Sequence, residues 1–374
     1  MALDRFRSTS SQKIDFWLML TILVLVGVGL MMVSSASVVV AWKTFGSNYY
    51  YLIRQLWAAV AGLFCFIVAT MIDYRIWQRY APWLGGSLIL LLLLPHIPGL
   101  GFTVQGAQRW IDIGGLSVQP SEFAKLCAIL YAAAWLAART AKLDNLTTTF
   151  WPFVIGLGLL TLWILLQPDA GTAMTLAATL FLMFVVVGAR PKQILAFMAL
   201  GFVGIGLMLS SPYRTQRLLT FLHPKEAVLG ASYQINQSLV AIGSGGLTGL
   251  GFGQSVQKYL FLPEVQTDSI FAVTTEELGF LRVTVLLALF GLVVFRGYRV
   301  AARVSDPFGR LAAFGISTLL AVQMLVNVGA MLGLMPLTGV TLPLISFGGS
   351  SLVATLAGLG IVLSISKHVE RVES

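Results

Sequence analysis

The chain has 374 residues, 57% of them hydrophobic and only 10% charged, with a mean hydropathy of +0.86. Soluble domains carry about 25% charged residues, so a soluble globular protein is excluded and a polytopic membrane protein is required. The formal charge of +9 must be located along the chain before it speaks for any polyanionic partner.

The apolar runs are continuous rather than alternating, which argues against a transmembrane barrel. Backbone groups in lipid must be satisfied within each segment, and that leaves helices. A span needs about 20 apolar residues. Such runs fall near 15–41, 55–72, 80–97, 121–138, 150–167, 171–188, 194–210, 271–295, 309–332 and 343–366. The expected fold is an all-α bundle of about ten transmembrane helices. Residues 1–14 form a short basic tail, 15–366 the membrane domain and 367–374 a second tail. The first run exceeds the core of a signal peptide, about 7–15 residues, and reads as a retained span.

Placing the N-terminus in the cytoplasm puts fifteen Lys and Arg on that side. Seven fall on the other: Lys43, Arg54, Arg109, Arg214, Arg217, Lys225 and Lys258. Cytoplasmic loops carry the excess, so both termini are expected inside, and most of the positive charge is topogenic. No nucleic-acid partner is needed.

The connection at 211–270, between the seventh and eighth spans, is the one large extracytoplasmic loop, long enough to be functional. Within it SYQINQSLVAIG (232–243) reads as a short interfacial helix, followed by the glycine-rich GSGGLTGLGFG (243–253). That run lacks GxxxxGK[ST] and has no βαβ surroundings, so it is no nucleotide loop. Tight backbone turns at the membrane surface are its expected use. The stretch 98–120 reads as a second, smaller outside loop.

Several residues are chemical candidates. Glu122 and Lys125, in QPSEFAK, are spaced to share one helix face. A charge inside hydrocarbon costs about 2.5–3.5 kcal/mol or more, so such residues pair or line a site. Arg109, beside Trp110 in GAQRWI, reads as an interface anchor or an anion ligand, and Asp169 in QPDAGTA as a helix-start acid or a member of the site. Cys65 and Cys127 lie in apolar runs and read as small core residues. His96, His223 and His368 have no zinc-site spacing, and GGSS at 348–351 has no nucleophile-elbow context.

The densest acidic stretch is FLPEVQTDSIFAVTTEELG (261–279), with Glu264, Asp268, Glu276 and Glu277 among only 15 acids in the chain. Asp268 lies just before the eighth span, at expected headgroup depth. One carboxylate is too few for an ordinary glycosidase, which must protonate its leaving group. A sugar leaving from a lipid pyrophosphate needs no such acid, so a single base suffices, with Arg214, Arg217, Lys258 and Arg109 on the same side to hold the diphosphate. This permits glycosyl transfer without selecting it, and a helix-capping role stays open for Asp268. Glu276 and Glu277 read as helix-start charges or catalytic acids, and Glu264 as a residue shaping the loop behind Pro263 or, as a member of the substrate site, contacting a cation.

This stretch resembles the signature of the SEDS family (shape, elongation, division and sporulation). GAQRWI with QPSEFAK, QPDAGTA, Tyr213-Arg214-x-x-Arg217, YQINQSLVAIGSGGLTG and PLISFGGSS resemble its other motifs, in family order. GQSVQK (253–258) and PYRTQRLLTFLHP look more like the division-type branch than the elongation-type one. The resemblance implies a peptidoglycan glycosyltransferase that polymerises lipid II outside the cytoplasmic membrane. It also implies a partner, a class B penicillin-binding protein that crosslinks the new strands. Asp268 matches the family's loop aspartate, Glu122 and Lys125 its span-four pair, and Arg109 its loop arginine. A divalent cation such as Mg²⁺ or Mn²⁺ near Asp268 fits the diphosphate, although no dedicated ligand set is visible. Ser269 stands where an aromatic is more usual, Gln266 where His is, and Arg282 where a small residue follows EELG. A lipid flippase and a non-catalytic scaffold for a transpeptidase remain the competing readings.

Overall fold

A computed structural model describes residues 14–104, 107–114, 116–140, 143, 145–208, 215, 221 and 231–369. The chain begins with α1 (Phe16–Ala36), α2 (Val38–Phe45) and α3 (Tyr50–Met71), so the run expected over 15–41 is divided at Ser37. The short α4 (Arg75–Arg79) leads into α5 (Ala81–Leu93). Strands β1 (Gly101–Val104), β2 (Ala107–Ile113) and β3 (Leu116–Val118) precede α6 (Pro120–Ala137). A π-helical turn (Leu146–Phe150) opens α7 (Trp151–Leu166), and α8 (Ala170–Val186) and α9 (Pro191–Met208) follow. The C-terminal part contains α10 (Ala231–Ser244), α11 (Ile270–Arg303), α12 (Pro307–Met331) and α13 (Gly349–Ser366).

Among the described residues six helical stretches are long and apolar enough to cross a membrane: α1, α3, Leu146–Leu166, α11, α12 and α13. α5, α8 and α9 are apolar but shorter, while Glu122 and Lys125 dilute the apolar character of α6. α13 is buried along nearly its whole length against α3, α6 and α12. Small residues permit this close approach in lipid: a side chain at Gly360 would collide with the backbone of Phe66.

The expected all-helical chain has one departure. Residues 101–118, read as part of a loop, form a three-stranded antiparallel sheet in the order β1-β2-β3, with Phe102 opposite Trp110 and Ile111 opposite Val118. Within AQRWIDI only Ile111-Asp112-Ile113 alternates at the period of a strand. The sheet rests on the turn after α5, where the Gln108 side chain donates to the Pro95 carbonyl at 3.0 Å and Gly101 leaves room for that same carbonyl. The opposite end of the bundle is tied at Asp15. Its carboxylate caps α1 through Leu18 N–H at 3.0 Å and meets Arg296 of α11 at 3.2 Å, and its amide donates to Ser366 of α13.

α11 is one helix interrupted at Gly279, which adopts φ 77° and ψ 172°. The 24 residues from Phe280 to Arg303 alone rise about 36 Å, enough for a hydrocarbon core of about 30 Å. The limb Ile270–Leu278 is therefore additional to the span. At the break, the carbonyls of Glu276 and Glu277 accept from Leu250 N–H and Gly251 N–H, both at 3.0 Å. Phe280 N–H and Leu281 N–H donate to Gly246 and Leu247 carbonyls at 2.9 and 3.1 Å. The glycine-rich run thus replaces the helical bonds that the break removes, which lipid would otherwise leave unsatisfied. Glycine is needed on both sides: a Cβ at Gly279 would strike the Gly249 amide, and one at Gly249 the Glu277 carbonyl.

Candidate functional site

Asp268 closes a loop whose backbone is held bond by bond. Glu264 sits at φ 52°, and its carbonyl accepts from both Thr267 and Ser269 N–H at 3.1 Å. Its carboxylate accepts from the Thr267 hydroxyl at 3.0 Å, so Glu264 makes a tight turn rather than projecting away. Three successive carbonyls are then fixed. Gln266 accepts from Phe347 N–H at 2.8 Å, Thr267 from the Ser346 hydroxyl at 2.7 Å, and Asp268 from the Asn327 side-chain N–H at 2.9 Å. The other Asn327 N–H donates to the Val340 carbonyl at 2.7 Å. Gln55 braces the far side of the PLISFGG segment, donating to Ser346 O at 3.2 Å and accepting from Gly348 N–H at 3.1 Å. The half-buried Asp268 carboxylate lies against Gly339, where a Cβ would stand 3.4 Å from Oδ2.

The strand β2 and the starts of α6 and α8 meet at the same end. Asp169 is the N-cap of α8, accepting from Thr172 N–H at 3.0 Å, and its other oxygen takes Arg109 at 3.3 Å and the Gln119 amide at 3.2 Å. Gln119 N–H in turn donates to Ser350 of α13 at 2.9 Å. The first turn of α8 packs on the segment carrying Gly339, because a Cβ at Gly171 would touch the Thr338 carbonyl and the Val340 side chain. Asp268 and the Arg109–Asp169 pair are therefore linked through residues 338–340.

Glu122 and Lys125 pair at 2.8 Å and are both buried, lining a narrow cavity among α6, α12 and α13 with Gln323 and Thr355. Lys258 is also buried: its ammonium meets Glu277 at 3.0 Å, the Gly253 carbonyl at 2.6 Å and the Ser35 hydroxyl at 3.2 Å. Ser35 donates to Glu277 at 2.6 Å, and Ser255 N–H at 3.3 Å. Glu276 accepts from the Ser255 hydroxyl at 2.5 Å and Val256 N–H at 3.0 Å. Glu276 and Glu277 are 1% and 0% exposed, so neither is a solvated helix-start charge. Arg282 donates to the Thr248 carbonyl at 3.1 Å. Arg214 and Arg217 lie outside the described residues.

Sequence reading passed over Asn327, Gln55 and Ser35. A signal was available for Asn327, since an amide in the last turns of a long apolar helix must find partners or a ligand to offset its burial.

A half-buried carboxylate, an arginine and an aspartate gathered at one end of a lipid-soluble helical bundle define an integral membrane protein with a polar site at one end of its helices. The model of the FtsW/RodA/SpoVE family, described as cell cycle proteins, matches residues 16–371. The probable peptidoglycan glycosyltransferase FtsW of Geobacter metallireducens (strain ATCC 53774 / DSM 7210 / GS-15) is 43% identical over 96% of each chain. Stage V sporulation protein E of Bacillus subtilis (strain 168) is 41% identical over 96% of this chain and 99% of its own. Among solved structures, a chain of a peptidoglycan synthase complex that coordinates polymerization and crosslinking matches with TM-score 0.75 and 30% identity, over 94% of this chain and 97% of that one. The rod shape determining protein RodA of Thermus thermophilus matches with TM-score 0.67 and 30% identity, over 96% and 98%. The chain belongs to the FtsW/RodA/SpoVE family.

Proposed function

We propose that this chain is a peptidoglycan glycosyltransferase of the division type, polymerising lipid II into glycan strands at the outer face of the cytoplasmic membrane. The observation that carries the mechanism is the backbone clamp on residues 266–268, which holds one carboxylate at the sheet end of the bundle. Asp268 takes the proton from the acceptor sugar hydroxyl. The oxygen attacks the anomeric carbon of the growing strand, the bond from that carbon to the diphosphate breaks, and the electron pair leaves on undecaprenyl pyrophosphate. Arg109, a quarter exposed beside Asp169, has donors left to meet the diphosphate. Arg214 and Arg217 belong to the same expected set. Lys258 acts indirectly in this scheme, by fixing the loop from beneath. Glu122 and Lys125 hold the top of α6 beside the site.

No group of three or more His, Cys, Asp or Glu gathers among the described residues. A divalent cation at Asp268 would accordingly draw most of its oxygen ligands from the diphosphate and water.

α5, α6, α8 and α9 are taken to cross the bilayer with the six longer helices, giving ten spans with both termini cytoplasmic. The sheet end then faces outward. The charged groups at Asp268, Arg109, Asp169 and Glu122 collect at that end rather than along a path through the bundle. This favours chemistry at the surface over lipid translocation. The partner is a crosslinking transpeptidase of the class B penicillin-binding type.

Asp268→Asn, purified and given lipid II with and without the cognate transpeptidase, is expected to lose at least about 100-fold in polymerisation, as removal of a general base does. Expression and partner binding should stay at wild-type levels. Polymerisation within twofold or so of wild type, less than any general base contributes, would reject Asp268 as the base.

A further inference from the structure

Three buried side-chain oxygens around Asp268 have no hydrogen-bond partner among the described residues: Gln266 Oε1, Asn327 Oδ1 and Thr338 Oγ1. Gln266 lies two residues before Asp268 and is 8% exposed. Asn327 is 1% exposed and touches the Asp268 carbonyl, while Thr338 adjoins Gly339, against which the Asp268 carboxylate lies. The orientation of the Asn327 amide is fixed, because both neighbours of its nitrogen are carbonyl oxygens. Its Oδ1 therefore remains an acceptor that no local donor uses.

A buried polar atom without a partner costs about 1–3 kcal/mol, and native proteins keep few of them. The described residues hold twelve such atoms, most of them scattered; these three lie next to one carboxylate, where a ligand would supply the missing partners. Their character specifies it: the two amide oxygens only accept, the Thr338 hydroxyl both accepts and donates, and none carries a charge. A hard divalent cation favours carboxylate-rich sets, and a phosphate needs donors rather than acceptors. Hydroxyls and the acetamido N–H of an amino sugar supply what these atoms lack.

Resting on the polymerase reading above, we infer that Gln266, Asn327 and Thr338 form the subsite that receives the polar hydrogens of the acceptor sugar and turns its attacking hydroxyl toward Asp268. Asn327 then has two roles. Its N–H groups lock the Asp268 loop to the 338–340 segment, and its oxygen takes a substrate donor. Gln266 and Thr338 have the second role alone.

That division supplies the test. Asn327 variants risk the fold, so Thr338→Val and Gln266→Met carry the experiment in the full-length protein. Each replaces an unpartnered oxygen by apolar atoms of similar size, which leaves folding unchanged or improves it. Lipid II binding is read from the thermal shift it produces, a readout that needs no turnover. Undecaprenyl pyrophosphate is the sugar-free probe. Each variant should weaken lipid II binding about five- to tenfold, the worth of one hydrogen bond. Binding of undecaprenyl pyrophosphate and the ligand-free Tm should not fall.

Unchanged lipid II affinity in both variants overturns the inference, and so does an equal loss for the two lipids. Recovery of binding on adding Mn²⁺ also overturns it, by assigning the oxygens to a cation. If wild type binds lipid II with this variant pattern yet makes no polymer, the polymerase reading falls and the sugar subsite stands. Polymerisation by wild type with variant affinities unchanged leaves that reading intact and removes the subsite. No lipid II binding by wild type defeats both.

Discussion

Asp268 and Glu277 are nine residues apart, yet their surroundings follow opposite rules. Around Glu276 and Glu277 the exposure is nil and donors converge from Ser35, Ser255, Val256 and Lys258. The backbone there is satisfied across the Gly279 break by the glycine-rich run. Around Asp268 the backbone is equally well held, but the side-chain oxygens of Gln266, Asn327 and Thr338 have no protein partner among the described residues. The two carboxylates are saturated even though Gln257 Oε1 beside them has no partner among the described residues. Buried, saturated acids can only hold structure, since a ligand would have to displace bonds already made. An unsaturated cluster on a rigid backbone is prepared for something that arrives. The density of acids in 261–279 reflects both uses, and the bonding separates them.

The comparison is broken most severely at its structural half. Gly279→Ala places a side chain in a backbone region essentially reserved for glycine, at about 1–3 kcal/mol, and drives it into the Gly249 amide. Little folded protein is expected, measured as monodisperse yield and Tm in detergent. Normal yield would mean that the glycine run does not brace the break.

Lys258→Met should come next, because it strands Glu277 as an unpaired buried charge, at about 3–5 kcal/mol. Adding Glu277→Gln removes the stranded charge and should restore most of the Tm and, with it, polymerisation. A Lys258→Met protein of wild-type Tm without activity would instead return Lys258 to the diphosphate set and erase the contrast between the two regions.

Much of the site could be read in the sequence for reasons that are local. Asp268 stood out because carboxylates are costly in an apolar chain, Glu122 and Lys125 because their spacing defines a helix face, and Asp169 because it precedes a helix. What was hidden depends on contacts between distant residues. Nothing in EELG announces that Gly279 interrupts the helix, since the partner backbone lies some thirty residues earlier. Lys258 looked like an outside cation until Glu277 and Ser35 were seen to enclose it. The sheet at 101–118 has only a short local signal, the alternation of Ile111, Asp112 and Ile113, because Arg109 and Trp110 break the period of β2.

Asp169 stands between the two regimes, being both a cap and a partner of Arg109, and a pair of variants sharpens that point. Asp169→Ala loses the cap, about 0.5–2 kcal/mol, and the Tm should fall with it. Asp169→Asn keeps a good capping oxygen, so Tm should hold while Arg109 loses its charged partner. If Arg109 meets the diphosphate, the KM for lipid II should change in Asp169→Asn with little change in Tm. An unchanged KM would place Arg109 with the structural cluster.

The smallest effect is expected at Arg282. It is exposed at the start of the second limb of α11, within reach of a lipid phosphate, and the structure gives it the Thr248 carbonyl, in the middle of the glycine-rich brace. That bond is exposed, and the neighbouring Gly246 and Leu247 carbonyls are held by backbone bonds of their own. Surface substitutions of this kind stay within about 0.5 kcal/mol, so Arg282→Ala should leave Tm in neutral detergent nearly unchanged. The two roles separate in vesicles. A brace contact is indifferent to headgroup charge, whereas a phosphate contact would make the Tm of wild type, but not of Arg282→Ala, rise with the anionic lipid fraction. Equal behaviour of the two proteins across that series would confine Arg282 to the saturated, structural side of the molecule.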